Sequence, residues 1–283
     1  MLDSIPLQAV DYLVIGHITR DLTSEGFHLG GTAAFSALTA RALGLGVGVV
    51  TSCNEKSPMK VFEGIPVISL SSEHTTTFEN IYAGKDGRTQ ILHHHAEHIS
   101  FDSVPESWRN ASIIHLGPVA QELDSALPTN LSPSLLGITP QGWMRTWNDE
   151  GYITPCRWQN AEQILPQAGA VVISREDVGG DEELIEVMAR QTRLLAVTEA
   201  EAGAVLYWNG DRRRFRASEV EEVDATGAGD IFATAFFIRL FTKRDPWEAA
   251  RFATQLSARS VTRIGLDGIP TQPEIEECLM EVF

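Results

Sequence analysis

EVDATGAGDIFATAFF, running from Glu222 to Phe237, places Gly227, Gly229 and Asp230 directly in front of an unbroken apolar run. A helix N-terminus exposes unpaired N–H groups and carries a partial positive charge, so it attracts phosphate and other anions. Glycines let the backbone approach a ligand closely and adopt positive φ. An aspartate in the first turn would stand beside such an anion, placed to accept a proton from an attacking hydroxyl. The run IFATAFFIRL would anchor the helix in the core and hold the site rigid. The same residues also fit a plainer arrangement, with glycines for tight packing and an acid favoured by the helix dipole. On this stretch alone the two readings stand side by side.

Outward from it, the chain alternates between strand and helix signals. YLVIG (Tyr12 to Gly16) is a short apolar run ending in glycine, as a buried parallel strand would be. The segment HITRDLTSEGFHL reads as a polar loop. GGTAAFSALTARALG (Gly30 to Gly44) reads as a helix with a closing glycine, and VGVVTSC (Val47 to Cys53) as a second strand. SIIHLGPV, LLGIT and AVVISRED continue the buried-strand pattern, and RLLAVTEAEAGAVLYWNGDRRRFRA holds a strand followed by a hairpin turning at Asn209-Gly210. A last helix is expected from Pro246 to Thr262. Between Ile65 and Ile99 the texture is β-rich, with a turn at Lys85-Asp86-Gly87, which predicts a small projecting sheet. The expected fold is α/β: one domain over residues 1–283, a mostly parallel central sheet flanked by helices, and a small β-sheet lid formed largely by 65–99.

Composition narrows the function. With 283 residues, 43% of them hydrophobic, the chain can bury a large core. Its 22 Lys+Arg against 38 Asp+Glu give a net charge of −16, which argues against binding nucleic acid or an anionic membrane surface. The N-terminus lacks the basic stretch and apolar core of a signal peptide, and no run approaches membrane-spanning length. Cys53, Cys156 and Cys278 are widely spaced, as reduced thiols of a cytoplasmic protein would be.

Four segments, in order, resemble the ribokinase-like (PfkB-type) carbohydrate kinases. GGTAAFSALTARALG resembles the family's N-terminal glycine-pair signature, and TTTFENIYAGKDGRTQ its lid and substrate-side segment. EVDATGAGDIFATAFF resembles the C-terminal signature, and ARSVTRIGLDGIPT the closing helix and loop. The resemblance implies transfer of the ATP γ-phosphate to a hydroxyl of a sugar or polyol, with magnesium. Asp230 matches the catalytic base, and Gly227, Ala228 and Gly229 the anion hole. Asp21 matches an aspartate that binds substrate hydroxyls, where a carboxylate can accept two hydrogen bonds from a vicinal diol. Gly30 and Gly31 would bring backbone against the substrate, or pack helix on strand. Thr226, Ser174, Thr198 and Gly203 fall on the nucleotide side.

Departures from the family's pattern also carry information. Phe35 stands where the family's substrate-binding asparagine is usual; it could offer the acceptor an apolar ring face or belong to the core. This feature is closest to the inositol-kinase-like branch. Ser174 and Asp177 in SRED replace an NxxE motif, leaving Asp177 to serve Mg2+ through water. Ala200 replaces the first glycine of a TxGxxG motif. Arg145, in QGWMRTW, is a candidate phosphate ligand or a surface arginine stacked on tryptophan. Arg88 could reach the acceptor's far side or be solvated. Asp224 matches a position near a monovalent-cation site, occupied by K+, or caps the turn through backbone N–H groups. His93-His94-His95 lies on an expected strand, where alternate residues face opposite sides, so a solvated lid strand is favoured over a metal site. Arg212-Arg213-Arg214 fits a charged edge strand.

The expected partners are therefore ATP and a small polyhydroxylated substrate, on a monomer or a lid-mediated homodimer. The alternatives are a nucleoside kinase and a noncatalytic regulator that binds sugar or nucleotide on the same fold.

Overall fold

The protein is described from a computed structural model, in which residues 7–82, 88–127 and 129–280 are described. The chain opens with β1 (Tyr12–Ile15), β2 (Thr19–Thr23), β3 (Gly26–Gly30), α1 (Thr32–Ala42) and β4 (Val47–Cys53). There follow β5 (Val67–Ser71), β6 (Thr76–Tyr82), β7 (Arg88–His94), β8 (Ile113–Leu116) and β9 (Leu135–Ile138). A short hairpin, β10 (Arg145–Trp147) and β11 (Ile153–Pro155), leads to α2 (Ala161–Ile164) and β12 (Ala170–Ser174). The C-terminal part comprises α3 (Glu182–Gln191), β13 (Leu194–Thr198), β14 (Ala204–Trp208), β15 (Asp211–Phe215), α4 (Ala228–Lys243), α5 (Pro246–Ser260) and α6 (Gln272–Met280).

Nine strands form one sheet in the order β15-β14-β13-β12-β9-β8-β1-β4-β5. From β12 through β9, β8, β1 and β4 to β5 every pairing is parallel, and β12 pairs β13 in the same sense. Only the terminal hairpin runs antiparallel. The parallel strands are apolar along their length because both faces are covered, and β1 and β8 are buried at every residue. One face carries α1, α4, α5 and α6, whose Phe232, Phe236, Phe237 and Leu256 pack on Tyr12, Val14 and Val49. The other buries Trp108, Trp143, Trp158, Ile185 and Met188. The connections run to one side of β1 through β4 and β5, then to the other through β8 and β9. That reversal makes the C-terminal ends of β1 and β8 the place where such sheets open a crevice for ligands.

The lid differs from the expected 65–99. Its four strands are ordered β3-β2-β6-β7, and β5 belongs to the main sheet, where Val67–Ser71 pairs with Val49–Cys53. The segment taken for a polar loop is the β2–β3 hairpin. Leu22, Phe27 and Leu29 share one face of that hairpin and Asp21, Thr23 and His28 the other, but Arg20 interrupts the apolar face and each strand is too short for the period-two pattern to stand out. The expected turn at Lys85-Asp86-Gly87 lies outside the described residues. The Asn209-Gly210 turn has positive φ at both positions (52° and 81°), as a tight two-residue hairpin requires. β15, with Arg212 to Arg214, is an edge strand, as expected.

At the root of the lid, Glu122 is fully buried and accepts N–H bonds from His17, Val119 and Ala120. Burial pushes this carboxyl up, but the buried His17 ring and those amides outweigh it and hold it below its ordinary value. The exit of β1 is thereby tied to the loop after β8.

A packing test follows from the α4–sheet contact. A Cβ on Gly137 in β9 would stand 2.6 Å from the Phe237 ring, which is fully buried. Gly137→Ala is expected to lower stability by about 1–3 kcal/mol, read as a shift in urea midpoint at unchanged slope.

Candidate active site

α4 begins at Gly227, whose φ of 79° lies in the left-handed region. A Cβ there would stand 2.2 Å from the Phe35 ring, so only glycine fits by either criterion. Gly229 is exposed and has open space where its Cβ would be, so the opening turn of α4 is uncovered on that side. Behind it, Ile231 to Ile238 are buried at every position, which fixes the helix in the core. This resolves Phe35, and corrects one reading of it: the ring is 1% exposed under Gly227 and is not a face offered to an acceptor.

Asp230 occupies the first turn of α4 and is half-buried. Burial raises its carboxyl from 3.8 to about 6; the Thr32 hydroxyl and Arg145 act against that rise, while Asp177 and Asp21 add to it. Thus the structure gathers Asp21, Arg145, Asp177 and Asp230, spread over some two hundred residues of sequence, within electrostatic reach of one another. Asp177 is held by a reciprocal pair: Ser174 N–H donates to Oδ2 at 2.8 Å and Asp177 N–H to Ser174 Oγ at 3.0 Å. Gln141, which the sequence reading passed over, donates to Asp177 Oδ1 at 3.0 Å.

Ser174 and Thr198 end the adjacent strands β12 and β13, and Gly203 precedes β14. Ala200, in the glycine position of the motif, takes φ 47°, so the glycine-type backbone persists under an alanine side chain. Next to it, the nearly buried Glu199 carboxylate binds Arg175 at 2.9 Å and also Arg214.

Asp224 uses both oxygens on backbone: Thr226 N–H donates to Oδ1 at 2.9 Å and Gly265 N–H to Oδ2 at 2.8 Å. Partial burial raises this carboxyl, but those bonds hold it below its ordinary value. The turn-capping reading therefore accounts for its geometry. Among the described residues no group of three or more His, Cys, Asp or Glu is placed to hold a metal. His93 binds Glu79, His94 stacks on His74, and His95, one residue past β7, bonds the Ala120 carbonyl; all three are exposed.

Between the lid and this turn lies a cavity of about 260 Å³, lined by Asp21, His28 and Asn80 from the lid and by Asp224, Thr226 and Gly265 from the body. A Cβ on Gly30 would stand 2.4 Å from Asp21 Oδ2, so this glycine makes room for the carboxylate. Gly31 is the residue before α1 and packs against the His17 carbonyl. Arg88 starts β7 opposite Tyr82; its side chain lies outside the described residues. His28 and Asn80 also escaped the sequence reading, although His28 lies directly opposite Asp21 once the hairpin is recognised.

Residues 158–272 match the model of the pfkB family carbohydrate kinases. The ribokinase of Bacillus subtilis (strain 168) is 40% identical over 96 residues, 33% of this chain and 32% of that protein. The inositol 3-kinase of Zea mays is 30% identical over 125 residues, 43% of this chain and 31% of that protein. These alignments thus span about a third of the curated relatives. Among solved structures, a pyrophosphate-dependent kinase in the ribokinase family, complexed with a pyrophosphate analog and myo-inositol, superposes with a TM-score of 0.75 at 21% identity, covering 94% of this chain and 99% of that one. Residues 158–272, which include the last two of the four segments, are thus similar to the pfkB family carbohydrate kinases, and the chain shares the fold of the ribokinase-family structure it superposes on.

The raised Asp230 makes a prediction about stability. A carboxyl that holds its proton more tightly folded than unfolded lowers stability wherever it is ionised, fully above about pH 6 and less as pH falls towards 4. Asp230→Asn should therefore gain about 1–2 kcal/mol near pH 8, discounted because the residue is only half-buried, and the gain should vanish near pH 4. Thermal unfolding of both proteins across that range checks it.

Proposed function

We propose that the protein is a phosphotransferase that moves a terminal phosphoryl group to a hydroxyl of a sugar, inositol or similar polyol. The observation that carries this reading is Asp230 in the first turn of α4, with Asp21, Asp177 and Arg145 within electrostatic reach. Phosphoryl transfer needs positioning, stabilisation of charge on the transferring group and a carboxylate for the hydroxyl proton. Asp21 holds the acceptor. Asp230, ionised at neutral pH yet more basic than an ordinary aspartate, takes the proton from the attacking hydroxyl oxygen. The amides of Gly227, Ala228 and Gly229 at the helix N-terminus, with Arg145, steady the negative oxygens.

The donor is read as ATP with Mg2+, which supplies the phosphoryl group and neutralises phosphate charge. The residues present fit it: Asp177, fixed by Ser174 and Gln141, presents a carboxylate for a hydrated magnesium. Thr198, Gly203 and Thr226 line the nucleotide side. A second donor reading is pyrophosphate, on which the superposed kinase depends.

Turnover is tested with ATP and with pyrophosphate over sugars, inositols and nucleosides. With the best acceptor, kcat/KM should rise with pH through about 6, and Asp230→Asn should lower kcat about 10²–10⁴-fold. Full activity in Asp230→Asn would remove the base. Tight acceptor binding without any transfer would favour a noncatalytic regulator.

A further inference from the structure

Between α4 and the sheet the packing is apolar, with Phe232, Phe236 and Phe237 among Val14, Ile113 and Leu135. A line of polar side chains from β1, β8, the end of β9 and α4 runs through it. The Tyr12 hydroxyl lies 2.8 Å from His115 Nδ1 and 3.3 Å from Thr234 Oγ1, and His115 Nε2 lies 2.9 Å from Thr139 Oγ1. Tyr12, His115 and Thr234 are fully buried, and Thr139 nearly so. Ser36, one turn beyond Thr32 in α1, adds a buried hydroxyl that meets no hydrogen-bond partner among the described residues. Packing alone asks for apolar side chains in such a layer, since every buried polar group must find a partner.

Both ends of the chain lead to Asp230. Thr234 stands one turn after Asp230 in α4, the spacing that brings side chains together on one face of a helix. Thr139 comes close to Thr32, whose hydroxyl bonds Asp230. A Cβ on Gly117 would collide with the Thr32 methyl and stand 3.2 Å from Thr139 Oγ1, so the two threonines approach across a glycine. The Asp230 charge also acts on the Tyr12 phenol.

Neither ring of the chain changes charge near neutral pH: burial pushes His115 down to about 3 and Tyr12 well above its ordinary value. A neutral imidazole donates from one nitrogen and accepts at the other, so the chain has two complete arrangements. In one, Thr139 donates to His115, His115 to Tyr12 and Tyr12 to Thr234. In the other, each bond is reversed. A negative charge on Asp230 selects whichever arrangement turns more positive ends towards it, and the neutral acid exerts no such pull. A chain free to reverse therefore favours the carboxylate. The remaining neighbours are fixed in sense: Thr32 and Arg145 favour the carboxylate, while Asp177 and Asp21 oppose it.

We infer that Tyr12 and His115 are positioning residues for Asp230, their buried chain bracing the first turn of α4 from below and turning its dipoles to the carboxylate until the proton is taken up. This rests on the kinase reading for the proton transfer, but not for the bracing.

The experiment compares Tyr12→Phe, His115→Leu, the double variant and His115→Gln by urea unfolding and by turnover of the best acceptor across pH. Each apolar single variant should lower kcat about 10-fold while the acceptor KM changes less than about threefold. The acid limb of kcat/KM should move up by at least ~0.5 pH unit, because the carboxylate has lost neighbours that respond to it. A single variant leaves its partner buried and unpaired, whereas the double removes both together, so the urea midpoint should return towards wild type. Its kcat and acid limb should not return, and the double carries the test where a single variant fails to fold. His115→Gln, which can still donate and accept, should recover part of kcat. An unchanged kcat and acid limb in a folded Tyr12→Phe overturns the inference, as does recovery of both along with stability in the double variant. Should no acceptor be turned over, the kinase reading fails, and the Asp230 carboxyl is titrated by NMR of labelled aspartate, with Asp230→Asn as reference. An upward move in Tyr12→Phe then supports the inference, and no move overturns it.

Discussion

The contact between Gly227 and the Phe35 ring is the constraint on which the site depends. Phe35 belongs to α1 and Gly227 opens α4, and these two helices pack side by side on one face of the sheet. With a left-handed glycine seated on a buried ring, the first turn of α4 has one position available to it. Its apolar body, buried from Ile231 to Ile238, then removes any freedom to slide or tilt. Amides and a carboxylate that would wander on a surface loop are here held by a helix packed into the core.

The polar side of the cleft is assembled differently. Asp21 comes from a lid strand, Asp177 from the turn after β12, Arg145 from a short hairpin and Asp230 from a helix. Each has its own local support: the absent side chain of Gly30 for Asp21, Ser174 and Gln141 for Asp177, the Thr32 hydroxyl for Asp230. Three acids facing one arginine is a poor arrangement for stability alone. It is a reasonable one where cations and hydroxyls are to be gathered, and strained electrostatics of this kind mark functional clefts.

Much of this was legible in the residues. Buried parallel strands announce themselves as short apolar runs, and β4 covers the same span, Val47–Cys53, that the run VGVVTSC occupies. The motif before α4 left a packing turn and an anion site equally open, and it was the company of the other three segments that favoured the second. The lid was misjudged for a physical reason. On β2 and β3 the apolar face is split between Leu22 on one short strand and Phe27 and Leu29 on the next and is broken by Arg20, so the hairpin resembled a loop, while β5, at the edge of the main sheet, resembled part of the insertion. With the hairpin unseen, its register was unseen too, and His28 could not be set opposite Asp21. Gln141 was hidden because its partner Asp177 lies 36 residues away and no local pattern links an amide to a distant carboxylate. Phe35 shows the converse case: the alternative that assigned it to the core was the simpler one, and the ring under Gly227 supports it.

The account rests on amides at the start of α4 receiving a terminal phosphate while Asp230 meets an alcohol. A crystal structure with a non-hydrolysable ATP or pyrophosphate analogue and a polyol tests this most directly. The account predicts a terminal phosphate oxygen within hydrogen-bonding distance of the amides of residues 227–229, and an acceptor hydroxyl on the Asp230 carboxylate. A phosphate bound elsewhere, with Asp230 contacting only protein, would contradict it.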